Sequence, residues 1–227
     1  YQTEEEAAKA PNDPNAQGRK KHAGDAIFED VNNDGQLDSK DMKFMGYIRP
    51  DKVGGIVNSF KYKGLTVRVV MDWAMGHVID NGFKGQIMSS SRNNNNAIKD
   101  AMTNSWQSAN DGTKYPKYTV QSDYDYQYRN HMRWDNQIGS SESGSTNNSL
   151  YFSKGDYLAF REVSLSYMLP STWVRKIRLS GVEVFAGAYN IGYIKKYDGM
   201  FPEIYTGVDY GVYPRPRQYN MGVKINF

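Results

Sequence analysis

Residues 217–227 read RQYNMGVKINF, and this stretch decides the fold. Apolar and polar positions alternate with a period of two, the spacing of a β-strand whose two faces meet different surroundings. The apolar register holds Tyr219, Met221, Val223, Ile225 and Phe227. The other register carries Gln218, Asn220, Lys224 and Asn226. The sequence therefore predicts a terminal strand with one apolar and one polar face.

Four earlier segments have the same strand character. Residues 53–62 (VGGIVNSFKY) and 65–73 (LTVRVVMDW) are separated by a short turn, which predicts a hairpin. A third strand is predicted within 157–170, where Pro170 ends it, and a fourth within 181–191 (GVEVFAGAYNI). The predicted class is all-β, with antiparallel strands.

The composition agrees with strands and excludes two classes of protein. The chain of 227 residues has 18 Tyr, 21 Gly and no cysteine. With a mean hydropathy of -0.74, it has no run near the about 18 apolar residues of a membrane helix. Its 28 basic and 25 acidic residues are interspersed, without the basic stripe that follows a nucleic-acid backbone. A helical membrane protein is therefore excluded, and no nucleic-acid partner is expected.

The connections between the predicted strands alternate between long and short. This alternation of long and short connections is typical of membrane β-barrels, which have tight periplasmic turns at one rim and long extracellular loops at the other. All long segments, including 195–216, fall on the outer side if the last strand descends to the periplasm. The sequence thus predicts a transmembrane antiparallel β-barrel with four parts: an extracellular loop (1–52), a barrel hairpin (53–75), a long extracellular loop (76–156), and the last three strands with the final loop (157–227).

Five strands are too few to close such a barrel. A bilayer interior tolerates no unpaired strand edge, because the exposed backbone groups have no water to bond. The amino terminus, YQTEEEAAKA, has neither a start methionine nor a signal peptide. We therefore expect the chain to be the carboxy-terminal piece of a larger barrel, starting within an extracellular loop.

Residues 30–41 (DVNNDGQLDSKD) have the spacing of a calcium-binding loop. Gly35 falls at the sharp turn in position six, and an aspartate stands at position twelve, where a bidentate glutamate is usual. The alternative is an Asx-turn without metal, because Asp-Gly and Asn-Asp pairs form turns unaided. The expected role of Ca²⁺ is to rigidify an extracellular loop. The candidate ligands are Asp30, Asn32, Asp34, the carbonyl of Gln36, Asp38 and Asp41.

Aromatic residues concentrate within 114–134 (KYPKYTVQSDYDYQYRNHMRW). Aromatic faces with polar edges bind sugars or peptides, and they also contact partner proteins. The alternative is that these rings pack together and hold the loop in place. The candidate residues for contact with a substrate or a protein lid are Tyr124, Tyr126, Tyr128 and Trp134.

The sequence has no catalytic signature. It contains no nucleophile elbow, phosphate-binding loop or paired-histidine metal motif. Spacing alone does not bring any two carboxylates together for glycoside hydrolysis. We therefore predict no catalytic residue and no enzyme. The rival interpretation is a secreted, calcium-stabilised all-β carbohydrate-binding module, and a soluble hydrolase is a third.

Four segments together resemble one known family, the SusC/RagA-like TonB-dependent outer-membrane transporters. They keep the family's order along the chain and leave residues 76–150 the least matched. The segments are GDAIFEDVNNDGQLDSKDMKFMG (24–46), REVSLSYMLPSTWVRKI (161–177), NIGYIKKYDGMFPEI (190–204) and DYGVYPRPRQYNMGVKINF (209–227).

The resemblance implies a place and a function for the chain. Members of this family have a barrel of about 22 strands around an amino-terminal plug, of which this chain would be the end. The terminal Phe227 would be the signal read by the assembly machinery of the outer membrane in Gram-negative bacteria. The whole transporter would import an oligosaccharide or a peptide, with a SusD-like surface lipoprotein as its lid. TonB would act through the amino-terminal part, outside this chain.

Overall fold

The computed structural model describes residues 1–88, 98–113, 115–119, 123, 125, 129–130 and 149–227. The chain divides into two compact units, each with its own internal contacts. The loop unit comprises Tyr1–Met45, Asp80–Phe152 and Val208–Tyr210. The sheet unit comprises Gly46–Ile79, Ser153–Gly207 and Gly211–Phe227.

Strands are the dominant elements and the helices are short. The strands are β1 (Lys52–Tyr62), β2 (Leu65–Met75), β3 (Val78–Asp80), β4 (Phe152–Lys154), β5 (Tyr157–Met168), β6 (Gly181–Lys195) and β7 (Gln218–Asn226). The α-helices are α1 (Glu4–Ala7), α2 (Gly82–Met88), α3 (Lys99–Thr103) and α4 (Ser171–Val174). Single 3₁₀ turns cover Pro14–Ala16, Ser39–Asp41, Ser149–Tyr151 and Arg175–Ile177. None of the helices in the described ranges has the length and apolar character needed to cross a bilayer.

The five long strands form one antiparallel sheet in which each strand pairs with its neighbour. Their order is β1-β2-β5-β6-β7, whereas β3 and β4 form a separate two-stranded sheet. Lys63 and Gly64 join β1 to β2 with φ angles of 45° and 86°. Two positive φ angles are typical of the tight hairpin turn that fits the twist of paired strands. All five predicted strands are therefore present, and within the described residues the outer edges of β1 and β7 have no strand partner.

The register of the pairs separates two faces of this sheet. Residues that pair directly lie on the same face, so the pairing continues one row of side chains from strand to strand. One face is apolar and includes the pairs Ile56–Met71, Val67–Leu165 and Ala186–Met221. The other face is polar and includes the pairs Arg68–Ser164 and Glu183–Lys224.

The alternation of β5 breaks at Arg161. Val70 and Met71 of β2 face Glu162 and Phe160, which leaves Arg161 as the extra residue of a β-bulge. The register between β5 and β6 shifts at the same place. As a result, the consecutive residues Arg161 and Glu162 both project to the polar face, where they contact Asp72 and Arg68 respectively.

Each unit has a small core of its own. In the loop unit, Met88, Ala101, Tyr115 and Tyr151 form a buried cluster. The sheet unit has two clusters near the ends of the strands where the long connections begin. One contains Ile79, Tyr197, Phe201 and Ile204, the other contains Ala74, Tyr157 and Ala159, and Tyr193 packs against both.

Candidate functional site

A group of charged and hydroxyl side chains lies on the polar face of the sheet, at the end where the long connections begin. Arg161 is its centre, and its Nε lies 2.9 Å from both carboxylate oxygens of Asp72 on β2. The guanidinium also donates through Nη1 to the carboxylate of Glu203, which belongs to the connection between β6 and β7. We call the group the Arg161 cluster; its members are Asp72, Arg161, Tyr193, Glu203 and Arg215.

Glu203 is the buried member of the Arg161 cluster, with a side chain only 1% exposed. Its Oε1 accepts a hydrogen bond from the Tyr193 hydroxyl at 2.6 Å, in addition to the bond from Arg161. Its Oε2 lies 3.4 Å from Arg215 Nη2. Burial by itself raises the pKa of Glu203, but the hydrogen bonds from Arg161 and Tyr193 outweigh it and leave the pKa below its ordinary value.

Local structure explains why these side chains meet. The bulge turns Arg161 toward Asp72, which occupies the polar register of β2. Tyr193 is held by edge-to-face contacts with Tyr157 and Phe201, whose ring centroids are each 5.9 Å away. The rings thereby fix the hydroxyl of Tyr193 where it meets Glu203.

The chemistry of the Arg161 cluster is that of a structural tie. Arginine stays protonated at all accessible pH values, and Glu203 stays ionised at neutral pH, so neither group is poised for proton transfer. Both carboxylate oxygens of Glu203 already face a donor. The cluster therefore holds the connection between β6 and β7 against the polar face of the sheet.

The loop unit has a comparable buried carboxylate at Asp25. Its Oδ2 accepts from the backbone N–H of His22 at 2.8 Å and from Arg129 Nε at 2.7 Å. Its Oδ1 accepts from Asn130 Nδ2 at 2.8 Å, and Asn130 Oδ1 accepts in turn from the backbone N–H of Ala26. Asp25 thus joins residues 22–26 to residues 129–130, about a hundred positions later in the chain.

A buried lysine lies beside Asp25. The ammonium of Lys21 donates to the carbonyl of Arg129, lies 3.8 Å from Asp13, and is 4.9 Å from the centre of the Phe28 ring. Burial lowers the pKa of Lys21, although the carboxylates of Asp13 and Asp25 oppose that effect. Charged groups in such a site require partners, and these contacts supply them.

In the loop of residues 30–41, carboxylates bind the loop's own backbone. Asp30 accepts from the N–H groups of Asp34 and Gly35, at 3.2 and 2.8 Å. Asp41 accepts from the N–H groups of Val31 and Asp38, at 2.9 and 2.8 Å. Gly35 has a φ of 80°, which suits glycine at this sharp turn. The carboxylates at positions one and twelve of the predicted calcium loop therefore hold its two ends.

The side chains of this loop suit a cation only in part, because a lysine lies beside two of the candidate ligands. Lys40 Nζ lies 3.6 Å from Asp34 and 3.4 Å from Asp38, where it supplies the positive charge. The Asn32 side chain and the Gln36 N–H lower the pKa of Asp34. Across the described ranges, no three acidic, histidine or cysteine side chains converge in a geometry that holds a metal ion. The oxygen donors fit calcium by type, and Lys40 stands among them as a competitor.

Of the remaining predicted site residues, the structure describes only Phe227. Tyr124, Tyr126, Tyr128 and Trp134 lie outside the described residues. In the same aromatic segment, Tyr115 is buried and its hydroxyl donates to Asp100 at 2.8 Å, and Tyr118 packs against the same cluster. Phe227 follows the last residue of β7 and is fully exposed.

Sequence reasoning missed Arg161, Glu203 and Asp25 as site residues. One signal was present: Arg161 and Glu162 are consecutive charges inside an otherwise alternating strand, which is the pattern that a bulge produces. Glu203 and Asp25 lie within segments that resemble the family, but nothing in their sequence neighbourhood identifies their distant partners.

The curated proteins to which the chain is similar are described as TonB-dependent receptors. No protein-family model matches the chain. The chain is 24% identical over 216 residues to "TonB-dependent receptor P3" of Formosa agariphila, covering 90% of this chain and 19% of that protein. It is 26% identical over 91 residues to "TonB-dependent receptor SusC" of Bacteroides thetaiotaomicron, covering 40% of this chain and 9% of that one. The chain therefore spans about a fifth of the length of the first of these relatives.

Solved structures with a similar fold include those of a peptide transporter. The chain superposes on the RagAB peptide transporter with a TM-score of 0.62 at 21% identity, covering 85% of this chain and 19% of that one. It also superposes on the RagAB peptide importer in the "closed-closed" state with a TM-score of 0.61 at 22% identity, covering 85% and 19% of the two chains. Together with the curated relatives, these matches confirm the predicted family resemblance and the predicted fold class.

Proposed function

We propose that this chain, a homologue of the SusC- and RagA-like TonB-dependent receptors, forms part of the barrel wall and outer loops of an outer-membrane nutrient importer of Gram-negative bacteria. The observation that carries the proposal is the apolar face of the sheet. It runs across all five long strands of the described structure, and Lys52 at one end is its only charged residue. Many side chains on it are exposed, as at Met221, which is 87% exposed.

An apolar surface of this extent fits lipid better than water. Soluble monomers rarely expose large contiguous apolar patches, whereas the outer wall of a membrane barrel requires one. The polar face carries the Arg161 cluster and the Arg68–Glu162 pair, as expected of an inner wall. These two faces disfavour the secreted carbohydrate-binding module, which would have to bury its apolar face elsewhere.

The proposed substrate is a nutrient peptide or oligosaccharide, and the proposed partner is a SusD-like surface lipoprotein acting as a lid. The similar structures are of the RagAB peptide transporter and of the RagAB peptide importer in "open-open" and "closed-closed" states. Uptake in this proposal is a shift of population between lid-open and lid-closed states. TonB would act through the plug, outside this chain. The names of the relatives are those of receptors and transporters, and an enzymatic activity is not part of the proposal.

Calcium is a second part of the proposal. Asp30, Asn32, Asp34, Gln36, Asp38 and Asp41 would hold the ion, which would supply positive charge and rigidity to an outer loop. Lys40 already neutralises part of the charge of this loop. Binding is therefore expected to displace the ammonium of Lys40 from its carboxylates.

The test uses the complete protein in its own outer membrane. A tagged copy is extracted in detergent, and mass spectrometry identifies the proteins that co-purify with it. A strain that lacks the gene is then grown on peptides or on oligosaccharides as the limiting nutrient, with and without the restored gene. We expect recovery in the membrane fraction, a lipoprotein partner, and a growth defect on one nutrient class. Recovery of the complete protein in buffer without detergent would overturn the proposal.

A further inference from the structure

We propose that the connection between β5 and β6 is a membrane-surface anchor, in which Trp173 and Ile177 enter the lipid interface while Arg175, Lys176 and Arg178 bind lipid phosphates. We call residues 169–180 the β5–β6 link. The inference rests on the proposed function, since it requires that the apolar face of the sheet meet lipid.

The β5–β6 link is an ordered element of the sheet unit. It contains α4 and the 3₁₀ turn Arg175–Ile177 directly after it. Its first residue, Leu169, donates to the carbonyl of Val182 at 2.9 Å, and its last, Ser180, donates to the carbonyl of Asn226 at 2.8 Å. Both ends are thus tied to the sheet, and the link has a defined orientation.

The link exposes two large apolar side chains while it buries a third. Trp173 is 62% exposed and Ile177 is 64% exposed, whereas Val174 between them is buried. Trp173 lies in α4 and Ile177 in the 3₁₀ turn directly after it, so the two exposed side chains are about one helical turn apart. In water, the apolar surface that these two exposed side chains provide is unfavourable.

The position of the link places that surface beside the apolar face of the sheet. Val182 belongs to the apolar register of β6, like Val184, which is 45% exposed. Val182 is only 8% exposed, and α4 contacts β6. We infer that the link covers the apolar face at this end of β6, so the apolar surface continues from the strands onto the link.

The charge of the link identifies the occupant of this surface. The sequence LPSTWVRKIRLS contains three cations and no acidic residue. Arg175, Lys176 and Arg178 are exposed, and among the described residues no carboxylate forms an ion pair with them. Tryptophan together with arginine and lysine is the composition that favours a membrane interface, where anionic headgroups attract the cations.

The place of the link in the fold agrees with a lipid surface. It lies at the end of the sheet opposite the long connections that follow β2 and β6. In the proposed transporter this end faces the periplasm, where the inner leaflet consists of phospholipids. A protein surface, such as that of the plug, is the competing occupant, and the test below separates it from lipid.

The test measures how deeply single sites enter a bilayer. The chain contains no cysteine, so nitroxide labels are placed one at a time at Trp173→Cys and Ile177→Cys in the complete protein, with any cysteine outside this chain replaced by serine. Tyr213→Cys serves as the water-exposed control and Met221→Cys as the control on the apolar face, because both side chains are highly exposed. The protein is reconstituted in phosphatidylcholine vesicles with and without phosphatidylglycerol. Collisions with oxygen report lipid, and collisions with a water-soluble nickel complex report water.

We expect labels at positions 173, 177 and 221 to collide more with oxygen than with nickel, and the label at 213 to show the reverse. Phosphatidylglycerol should move the labels at 173 and 177 deeper. The triple variant Arg175→Gln, Lys176→Gln, Arg178→Gln should abolish that shift without affecting position 221. These outcomes support the anchor.

Two outcomes overturn the inference while the proposed function stands. In both, the label at position 221 reports lipid. In one, the labels at 173 and 177 report water; in the other, they are shielded from both reagents, as a protein partner would cause. If position 221 itself reports water, the proposed function fails together with the anchor.

Discussion

The guanidinium of Arg161 and the carboxylate of Glu203 are hydrogen-bonded although 42 positions separate them in the sequence. The contact joins a bulged residue of β5 to the buried carboxylate of the connection between β6 and β7. A long loop is thereby tied to the polar face of the sheet by a charged pair rather than by apolar packing alone.

Substituting Glu203→Gln should loosen the final loop. The change removes the buried negative charge of the pair and leaves the partly exposed guanidinium of Arg161 with one anionic partner fewer, a loss of about 3 kcal/mol. Trypsin should therefore cleave the complete protein faster at Lys195, Lys196 and Arg217, which flank the tied segment. The matched control is Glu162→Gln. Glu162 Oε2 lies 3.4 Å from Nε of Arg68, whose side chain is 45% exposed, so this variant should lose no more than about 1 kcal/mol. Equal cleavage in both variants would contradict the tie.

The same pair predicts a pH dependence with a definite sign. The pKa of Glu203 is lowered in the folded protein, so its ionised form stabilises the fold above the ordinary glutamate pKa of 4.5. The contribution is lost as the pH falls through the lowered folded-state value. The difference in thermal unfolding midpoint between wild type and Glu203→Gln should be constant at neutral pH and shrink in acid. A difference that instead grows as the pH falls would show that the sign is wrong.

Substituting Asp25→Asn should detach residues 129–130 from residues 22–26. The carboxylate of Asp25 accepts three hydrogen bonds, one of them from Arg129, and the uncharged amide replaces only part of them. We expect faster hydrogen exchange at the Ala26 amide, which is bonded to Asn130. The control is Asp125→Asn, which removes the exposed pair with Arg19 and should leave exchange at Ala26 unchanged. Similar exchange in both variants would argue against a structural role for Asp25.

Calcium binding by residues 30–41 is testable through Lys40. Calorimetric titration of the complete protein should give a dissociation constant of about 10⁻⁴ to 10⁻³ M, the range of extracellular calcium modules. Because Lys40 lies beside Asp34 and Asp38, Lys40→Gln should tighten binding, whereas Asp30→Asn should weaken it. Lys43→Gln, which removes a lysine paired with Glu29, is the control. An Asx-turn without metal would give no binding heat in any variant.

The two faces of β7 predict opposite tolerance to charge. Met221 lies on the apolar face and Asn220 on the polar face of the same strand. Met221→Arg should destabilise the membrane-embedded protein by about 2 to 4 kcal/mol and reduce its amount in the outer membrane. Asn220→Arg adds the same side chain one residue away and should be tolerated. Equal amounts of the two variants in the membrane fraction would contradict the assignment of the faces.

Much of the sheet was predictable because its pattern is local. The alternation in 65–73 and 217–227 fixes which residues share a face, and the short turn after residue 62 fixes the first hairpin. The small strands β3 and β4 were missed, since three residues are too few to display a period. β2 ends at Met75 and β6 ends at Lys195, beyond the predicted segments 65–73 and 181–191. Strand ends depend on pairing with neighbours as well as on the pattern of the strand itself.

The sequence by itself determined the five long strands, their apolar and polar registers and the family resemblance, because each depends on residues that are close together in the chain. Only the tertiary structure decided that Arg161 leaves the strand alternation, that Glu203 is buried beside it, and that Asp25 binds Arg129 and Asn130. These contacts join residues 42 to 105 positions apart. A carboxylate becomes a buried tie only when the fold removes water from it and supplies its donors, and no local pattern specifies either condition.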